Sequence, residues 1–360
     1  MRHAILSVIL AICAASADAQ ARLVGNLPRR DNKPLQEIAG LETEYGQVRT
    51  SEGTRLRAIL TRPAGTSGKL PAIFLAQWVS CDSVDFRADR PSQLRELARR
   101  SDTVFIRVER SGTADSEGAS CSELDYDTEV RHYREALDQM AGHPWVDPGR
   151  IVIFGSSLGS TTAPLIAQGR RVAGVMAQGG GAETYLERMI NFDRLYLERS
   201  GKYRPEEIHA EMLRRIPFHY EYLVRGRGPQ QVEAEHPELR GVWASIRGAE
   251  PDNHYGRSFA WHQQAAKQDF LAAWAEIEAP VLVLYGEYDQ FEMREGHKLI
   301  ADTVNRLRPG TATFVEIPQA SHDLTRYPNA EAAYRDEGGT GDLDLFLTPV
   351  LAWLKQALGR

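Results

Sequence analysis

Residues Gly155-Ser-Ser-Leu-Gly159 form the pattern G-x-S-x-G, in which a serine lies between two glycines. The apolar run 151–154 before the pattern indicates a buried strand, and residues 161–168 after it are typical of a helix. Between a strand and a helix, this pattern holds the serine on a strained turn with its hydroxyl exposed. Glycines are needed there because a Cβ would collide with the crossing strand and helix. Ser157 is therefore the candidate nucleophile.

A serine hydroxyl attacks a carbonyl only when a base takes its proton and a carboxylate orients that base. His322 is the candidate base, because it is the one histidine after the predicted strand 312–317. Asp289 is the candidate acid, because it follows the predicted strand 280–285. The carboxyl ends of parallel strands meet at one edge of a sheet, where Ser157 is also expected. The sequence thus predicts a triad in the chain order serine, aspartate, histidine.

Other acidic residues lie near Asp289 in the sequence. Glu287 and Glu292 are alternatives, and Asp289 could instead cap a helix. His297 is a poor alternative base, because it falls inside a predicted helix.

The oxyanion that forms during acyl transfer needs backbone N–H donors. The residue after the nucleophile, Leu158, is expected to supply one donor. The second is expected from the loop after the predicted strand 72–76, with Val79 preferred and Trp78 next.

Strands and helices alternate along most of the chain, which indicates an α/β fold with a mostly parallel central sheet flanked by helices. Residues 45–60 read as a β-hairpin, and residues 20–36 as an extended arm. The further predicted elements are the strands 103–108 and 172–177 and the helices 91–100, 126–140, 292–306 and 343–358. The alternation stops between residues 182 and 274, which are charged, aromatic and helical in periodicity, with no convincing strand. We interpret 182–274 as a helical lid inserted into a core of residues 20–181 and 275–360.

Residues 1–19 have the features of a signal peptide. Arg2 and His3 form a basic start, residues 4–15 are apolar, and Ala17-Asp-Ala19 is a cleavage signal. The apolar stretch is too short to span a membrane, and no other stretch is long enough. We therefore expect an exported protein, periplasmic or secreted. Lipidation at Cys13 is disfavoured because Ile12 occupies a position that needs a small residue.

Cleavage there would leave two cysteines, Cys81 and Cys121, and an even count in an exported chain favours a disulfide over two core thiols. The chain of 360 residues has 42% hydrophobic residues and a net charge of −6, which gives no support to a nucleic-acid or anionic-membrane partner. No metal or nucleotide motif is present in the sequence, so no cofactor is expected.

The chain resembles the α/β-hydrolase superfamily over nearly all of its mature length. Within it, the chain is most similar to exported serine hydrolases related to serine aminopeptidases, X-Pro peptidase-like proteins and esterases. The resemblance is carried by residues 155–159, Gly286-Glu-Tyr-Asp289 and Ser321-His322, with support from 110–116, which is similar to the family's R-G-x-G-x-S loop, and from 145–151.

The sequence departs from the family pattern in two loops. Gln77-Trp78 replaces the usual His-Gly or Gln-Gly of the oxyanion loop, and Ala114 replaces a glycine of the other loop. In this superfamily the loops after the third and fourth strands lie side by side. The resemblance therefore implies a Cys81–Cys121 bridge that braces the oxyanion loop.

These observations predict a serine hydrolase that cleaves a small-molecule ester or peptide through an acyl-enzyme on Ser157. Carboxylesterase activity is the preferred reading. An exported aminopeptidase is the alternative, and it would need an anion for the substrate's ammonium, for which Glu183, Glu187 and Glu211 are candidates. A non-catalytic binding protein on the same scaffold and an acyltransferase are further alternatives.

Overall fold

The computed structural model describes residues 20–86 and 92–359. The predicted signal peptide, residues 1–19, lies outside the described residues, as does Pro91, the first residue of a predicted helix. The described strands are β1 Gln20–Leu23, β2 Leu41–Arg49, β3 Arg55–Pro63, β4 Leu70–Ala76, β5 Val104–Val108, β6 Val146–Ser156, β7 Gly174–Gln178, β8 Asn253–His254, β9 Arg257–Ser258, β10 Val281–Gly286 and β11 Ala312–Ile317. The described α-helices are α1 Gln93–Arg100, α2 Tyr126–Ala141, α3 Gly159–Ala167, α4 Tyr185–Arg199, α5 Pro205–His219, α6 Pro229–Glu235, α7 Phe259–Ala265, α8 Phe270–Ala275, α9 Arg294–Leu307, α10 Ala330–Arg335 and α11 Asp344–Ala357.

Nine of these strands form one sheet in the order β1-β2-β3-β5-β4-β6-β7-β10-β11. The pairs β2–β3 and β3–β5 are antiparallel, and all other neighbours are parallel. The predicted α/β fold with a mostly parallel sheet is confirmed. The parallel strands β4, β6, β7, β10 and β11 end at one edge of the sheet, and the loops after β4, β6, β10 and β11 carry predicted site residues.

The sheet is covered on both faces, because successive side chains of a strand point to opposite sides. In β4, Phe74 packs with residues of α2 and α3, and its neighbours Ile73 and Leu75 pack with α1 and α11. This two-sided burial explains why the central strands are apolar at nearly every position.

The prediction for residues 20–36 needs one correction. Residues 20–23 are not a plain arm, since they form β1, which pairs in parallel with residues 42–45 of β2. A stretch of four residues with mixed polarity is too short to show the alternation of apolar and polar residues that predicts a strand.

Residues 182–274, which we call the inserted segment, contain α4 to α7, all but the last residue of α8, and the hairpin β8–β9. The expectation that this segment contains no strand was wrong, because it contains this hairpin. Each strand of the hairpin has two residues, which are too few to show alternating apolar and polar positions. Thr184 and Glu187 form a capping box that starts α4. The aromatic cluster of the segment, which includes Trp261, packs on Tyr126 of α2. Within the two described ranges, no helix combines the length and apolar character that crossing a bilayer would require.

Candidate active site

Ser157 lies at the turn between β6 and α3, with a backbone φ of +53°. This left-handed conformation is unfavourable for a residue with a Cβ. A Cβ on Gly155 would lie 2.4 Å from the Gly159 oxygen, and a Cβ on Gly159 would lie 2.1 Å from the Ala76 oxygen. Both glycines of the pattern are therefore required by the close approach of backbone atoms.

The structure brings the three predicted residues together. The Ser157 hydroxyl lies 2.9 Å from His322 Nε2, and His322 Nδ1 lies 2.8 Å from Asp289 Oδ2. A carboxylate beside Nδ1 requires the Nδ1–H tautomer, so Nε2 is left as the acceptor for the serine proton. The second oxygen of Asp289 accepts hydrogen bonds from the N–H groups of Phe291 and Glu292 at 2.8 and 2.9 Å.

The two alternative acids, Glu292 and Glu287, interact with residues other than His322. Glu292 is buried in an ion pair with Arg188 of α4. Glu287 accepts a hydrogen bond from the N–H of Gln319 at 2.8 Å. Only Asp289 contacts the His322 ring among these three carboxylates.

The aspartate and histidine change one another's pKa. Burial acts to raise the pKa of Asp289, but His322 and the N–H of Phe291 outweigh burial and hold this pKa below its usual value. Burial acts to lower the pKa of His322, but the charge and hydrogen bond of Asp289 outweigh burial and raise this pKa. The pair therefore stabilises an imidazolium, the state that His322 would reach on accepting the Ser157 proton.

Two glutamines that the sequence analysis missed hold the backbone of His322. Gln178 Nε2 donates to the His322 carbonyl at 2.6 Å, and the Gln290 side-chain oxygen accepts from the His322 N–H at 3.2 Å. Gln178 is the last residue of β7 and Gln290 follows β10, so both lie at the sheet edge that the triad occupies. A polar residue at the carboxyl end of a predicted strand is therefore the sequence signal by which both glutamines could have been found.

The loop after β4 is held by Arg110, which is buried. Its guanidinium donates to the carbonyls of Gln77, Trp78 and Ser80 at 3.2, 2.5 and 2.5 Å. In a trans peptide the carbonyl and the following N–H point in opposite directions, so the Val79 N–H points away from Arg110. All described peptide bonds are trans.

The backbone N–H groups of Trp78, Val79 and Leu158 have no acceptor in residues 20–86 and 92–359. Val79 packs against the same apolar cluster as Leu158, so the loop lies beside the start of α3. These are the three positions from which the sequence predicts oxyanion donors.

Arg110 belongs to a buried charge cluster that the sequence analysis did not find. Glu129 of α2 pairs with Arg110 at 3.0 Å and also with Arg257 of the inserted segment, and it accepts a hydrogen bond from Trp261 at 3.1 Å. Burial acts to raise the pKa of Glu129, and the two arginines outweigh it and lower this pKa. Arg257 also lies 3.5 Å from the Val79 carbonyl. The inserted segment thus contacts the loop that carries the unpaired N–H groups.

Cys81 and Cys121 form a disulfide with a Cα–Cα distance of 5.8 Å. It joins the loop after β4 to the loop after β5, directly beyond residues 77–80. Arg257 Nη1 lies 3.4 Å from Cys121 Sγ, so the disulfide borders the charge cluster. Among the described residues, no group of three or more His, Cys, Asp or Glu side chains could hold a metal ion.

A mostly parallel sheet with a serine at a strand–turn–helix crossing, a histidine after the last strand and an aspartate between them defines an α/β-hydrolase fold. The model of the alpha/beta hydrolase family matches residues 76–334. The chain belongs to that family.

The chain is also similar to individual proteins of known sequence or structure. A polyketide transferase of Stachybotrys chlorohalonatus is 30% identical over 141 residues, which are 39% of this chain and 45% of that protein, so the match spans less than half of the relative. Est1E of Butyrivibrio proteoclasticus, solved with ferulic acid bound, superposes with a TM-score of 0.56 at 14% identity, covering 87% of this chain and 99% of that one. An esterase of Pyrococcus furiosus gives a TM-score of 0.54 at 10% identity, with 93% and 100% covered. At these identities the structural likeness concerns the fold.

Proposed function

We propose that the protein is a serine hydrolase of the carboxylesterase type, acting through an acyl-enzyme on Ser157. The observation that carries this proposal is the chain of contacts from Ser157 Oγ to His322 Nε2 at 2.9 Å and from His322 Nδ1 to Asp289 at 2.8 Å. A serine on a left-handed turn with a positioned base needs no further group to begin acyl transfer.

In the first half of the reaction, Ser157 Oγ attacks the ester carbonyl while His322 Nε2 takes the hydroxyl proton. The Asp289 carboxylate keeps the imidazolium oriented and remains ionised. His322 then gives the proton to the leaving alcohol as the ester C–O bond breaks. Water, deprotonated by His322, attacks the acyl-enzyme and releases the carboxylic acid and the free serine.

The oxyanion of each tetrahedral intermediate accepts hydrogen bonds from Leu158 and Val79, with Trp78 as the other candidate donor. The unpaired state of these N–H groups supports the assignment. The grip of Arg110 on the Trp78 carbonyl favours Val79, because it fixes the direction of that peptide before substrate binds.

Export and a lid complete the proposal. Residues 1–19 direct the chain to the periplasm or the medium, where the Cys81–Cys121 disulfide persists. The inserted segment, residues 182–274, is the lid of a core made of residues 20–181 and 275–360, and it decides which small molecules reach Ser157.

One observation favours a peptidase as the second candidate. A cleft of about 560 Å³ between α4 and α9 is lined by Glu183, Glu187 and Glu295, which could hold an ammonium group. The residues that line this cleft include no member of the triad, however. The buried Glu292, whose N–H donates to Asp289, is already paired with Arg188. Ester cleavage is therefore preferred.

Labelling with a fluorophosphonate tests the mechanism. Wild-type protein and the Ser156→Ala control are expected to be labelled, and Ser157→Ala to lose the label. Equal labelling of Ser157→Ala would overturn the assignment, and failure of every acyl probe on folded protein would favour a non-catalytic binding role. A panel of 4-nitrophenyl esters against aminoacyl 4-nitroanilides separates esterase from peptidase.

The match to a polyketide transferase supports acyl transfer as a variant of the same chemistry. An alcohol would then replace water in the second half-reaction. Product analysis with added alcohols decides this, since a hydrolase gives mainly the free acid and a transferase mainly the new ester.

A further inference from the structure

Arg247 is an arginine of the inserted segment whose guanidinium lies over two aromatic rings. Its guanidinium carbon lies 4.3 Å from the Phe291 ring centroid and 5.7 Å from that of Tyr196. The residue is exposed. No carboxylate in the described part of the chain lies within ion-pair distance of this guanidinium.

The ring under Arg247 also touches the proposed base. Phe291 and His322 have centroids 5.0 Å apart and meet edge to face. A single aromatic ring therefore separates the guanidinium from the imidazole that faces Ser157.

Three carboxylates of this region are already paired with other cations. Asp193 binds Arg215 at 3.2 Å and His219 at 2.8 Å. Glu292 binds Arg188, and Asp289 binds His322. The charge of Arg247 is consequently left without a protein counterion beside the candidate active site.

The backbone that carries Arg247 is fixed in place. His254 Nε2 lies 3.1 Å from the Arg247 carbonyl, and the Tyr255 N–H donates to the Gly248 carbonyl at 2.8 Å. Tyr255 has a φ of +50°, and its ring covers Gly248 so closely that a Cβ there would lie 2.5 Å from the ring. The Tyr255 hydroxyl forms no hydrogen bond to any described residue. Tyr255 and Gly256 form the two-residue turn between β8 and β9, and this turn accounts for the positive φ of both residues.

We propose that Arg247 binds a carboxylate of the substrate, so that the preferred substrates are esters with a free carboxylate, such as half-esters of dicarboxylic acids. This inference rests on the proposed ester hydrolysis at Ser157. A guanidinium presents a planar fork of donors that matches a carboxylate, and stacking on rings leaves that fork free. The chain carries a net charge of −6, so recognition of an anion must be local rather than a property of the whole surface.

The test compares pairs of 4-nitrophenyl esters, from glutaric to suberic acid, in which the distal group is either a free carboxylate or its methyl ester. The series varies the distance between the ester carbonyl and the distal carboxylate, and rates are corrected for spontaneous hydrolysis. The readout is the ratio of kcat/KM for the free acid to kcat/KM for the methyl ester.

We expect the wild-type ratio to exceed one at the best chain length and to fall about tenfold to a hundredfold in Arg247→Gln, the usual range for loss of a charged hydrogen bond. Arg225 is the matched control, because it is an exposed arginine of the same segment that lies over the Tyr220 ring. Arg225→Gln should keep the wild-type ratio. An unchanged ratio in Arg247→Gln, or an equal fall on both esters, would overturn the proposal.

Calorimetry with Ser157→Ala protein gives a readout that does not depend on turnover. A monomethyl half-ester of the best acid should bind this variant, and binding should weaken by a similar factor when Arg247→Gln is added. Binding that ignores Arg247, or no binding, would overturn the carboxylate site. Binding that depends on Arg247 in a protein that cleaves no ester would keep this site and remove the proposed hydrolase function.

Discussion

The Arg110 guanidinium donates a hydrogen bond to the Trp78 carbonyl at 2.5 Å, and this contact fixes the peptide that carries the Val79 N–H. Arg110 lies 32 residues further along the chain than Trp78. In the proposed mechanism Arg110 is a positioning residue, since its contacts are with the backbone of the loop after β4.

Arg110→Lys keeps the charge that Glu129 needs but cannot reach three carbonyls. We expect kcat to fall by about a hundredfold, the usual effect of losing one oxyanion donor, with little change in KM. Arg134→Lys is the control, because Arg134 also donates to two backbone carbonyls, at residues 165 and 168, away from the triad. Equal kinetics of Arg110→Lys and wild type would remove the positioning role.

The pH dependence of kcat/KM reports on His322. Only the neutral imidazole can accept the serine proton, so activity is present above the His322 pKa and lost as the pH falls through it. Because Asp289 raises this pKa, the loss should be centred above about 6.5, the ordinary value. Asp289→Asn should move the midpoint to lower pH and reduce kcat by about four orders of magnitude. A midpoint that does not move in Asp289→Asn would contradict the coupling.

Removal of the disulfide should weaken both the fold and the site. Cys81 and Cys121 are 40 residues apart in sequence. Closing such a loop is worth about 4 kcal/mol of unfolding free energy by chain entropy. We expect the Cys81→Ala, Cys121→Ala double variant to lose about that much in denaturant titration, and kcat to fall because the loop after β4 is less fixed. Unaltered stability would show that the bridge adds no constraint.

Gly159→Ala tests the tight crossing of strand and helix. The new Cβ would lie 2.1 Å from the Ala76 oxygen. The backbones of residues 76 and 159 cannot move apart without separating β4 from α3. Overpacking of this kind costs about 3 kcal/mol, and labelling by a fluorophosphonate should be lost. Gly149→Ala is the matched control, since its Cβ would have 3.5 Å to its nearest neighbour. A stable, labelled Gly159→Ala protein would contradict the geometry.

Gln178→Met removes the donor to the His322 carbonyl while keeping the volume of the side chain. We expect the imidazole to be less well placed, and both kcat and the rate of fluorophosphonate labelling to fall about tenfold. Gln168→Met serves as control, because the Gln168 side chain lies at the surface and donates to Glu276. An unchanged labelling rate in Gln178→Met would show that other contacts position His322.

The fold, and the three residues that the structure brings together, could be predicted from the sequence because both depend on local patterns. An apolar run followed by Gly155-Ser-Ser-Leu-Gly159 determines a strand, a turn and a helix without knowledge of the rest of the chain. The same holds for Asp289 and His322, each of which follows a clear strand.

The charge cluster could not be predicted in this way, because Glu129 and Arg257 are 128 residues apart. Only the packed structure brings them together. One local signal was present, since Glu129 lies one turn from both Tyr126 and Tyr133 on the apolar face of α2, where a carboxylate needs a partner. The hairpin β8–β9 was missed because its strands contain too few residues for any period.

The pairing of Arg257 with Glu129 restricts how access to Ser157 can change. A movement of the whole inserted segment as one rigid body would leave a buried carboxylate with half of its positive partners and expose the aromatic contact of Trp261 with Tyr126. Residues 253–265 are therefore the fixed end of any opening motion. Helix α4 is held to the core in the same way, because its Arg188 pairs with the buried Glu292. Hydrogen exchange should therefore be slower in α4 and α7 than in α6, which buries no charged residue.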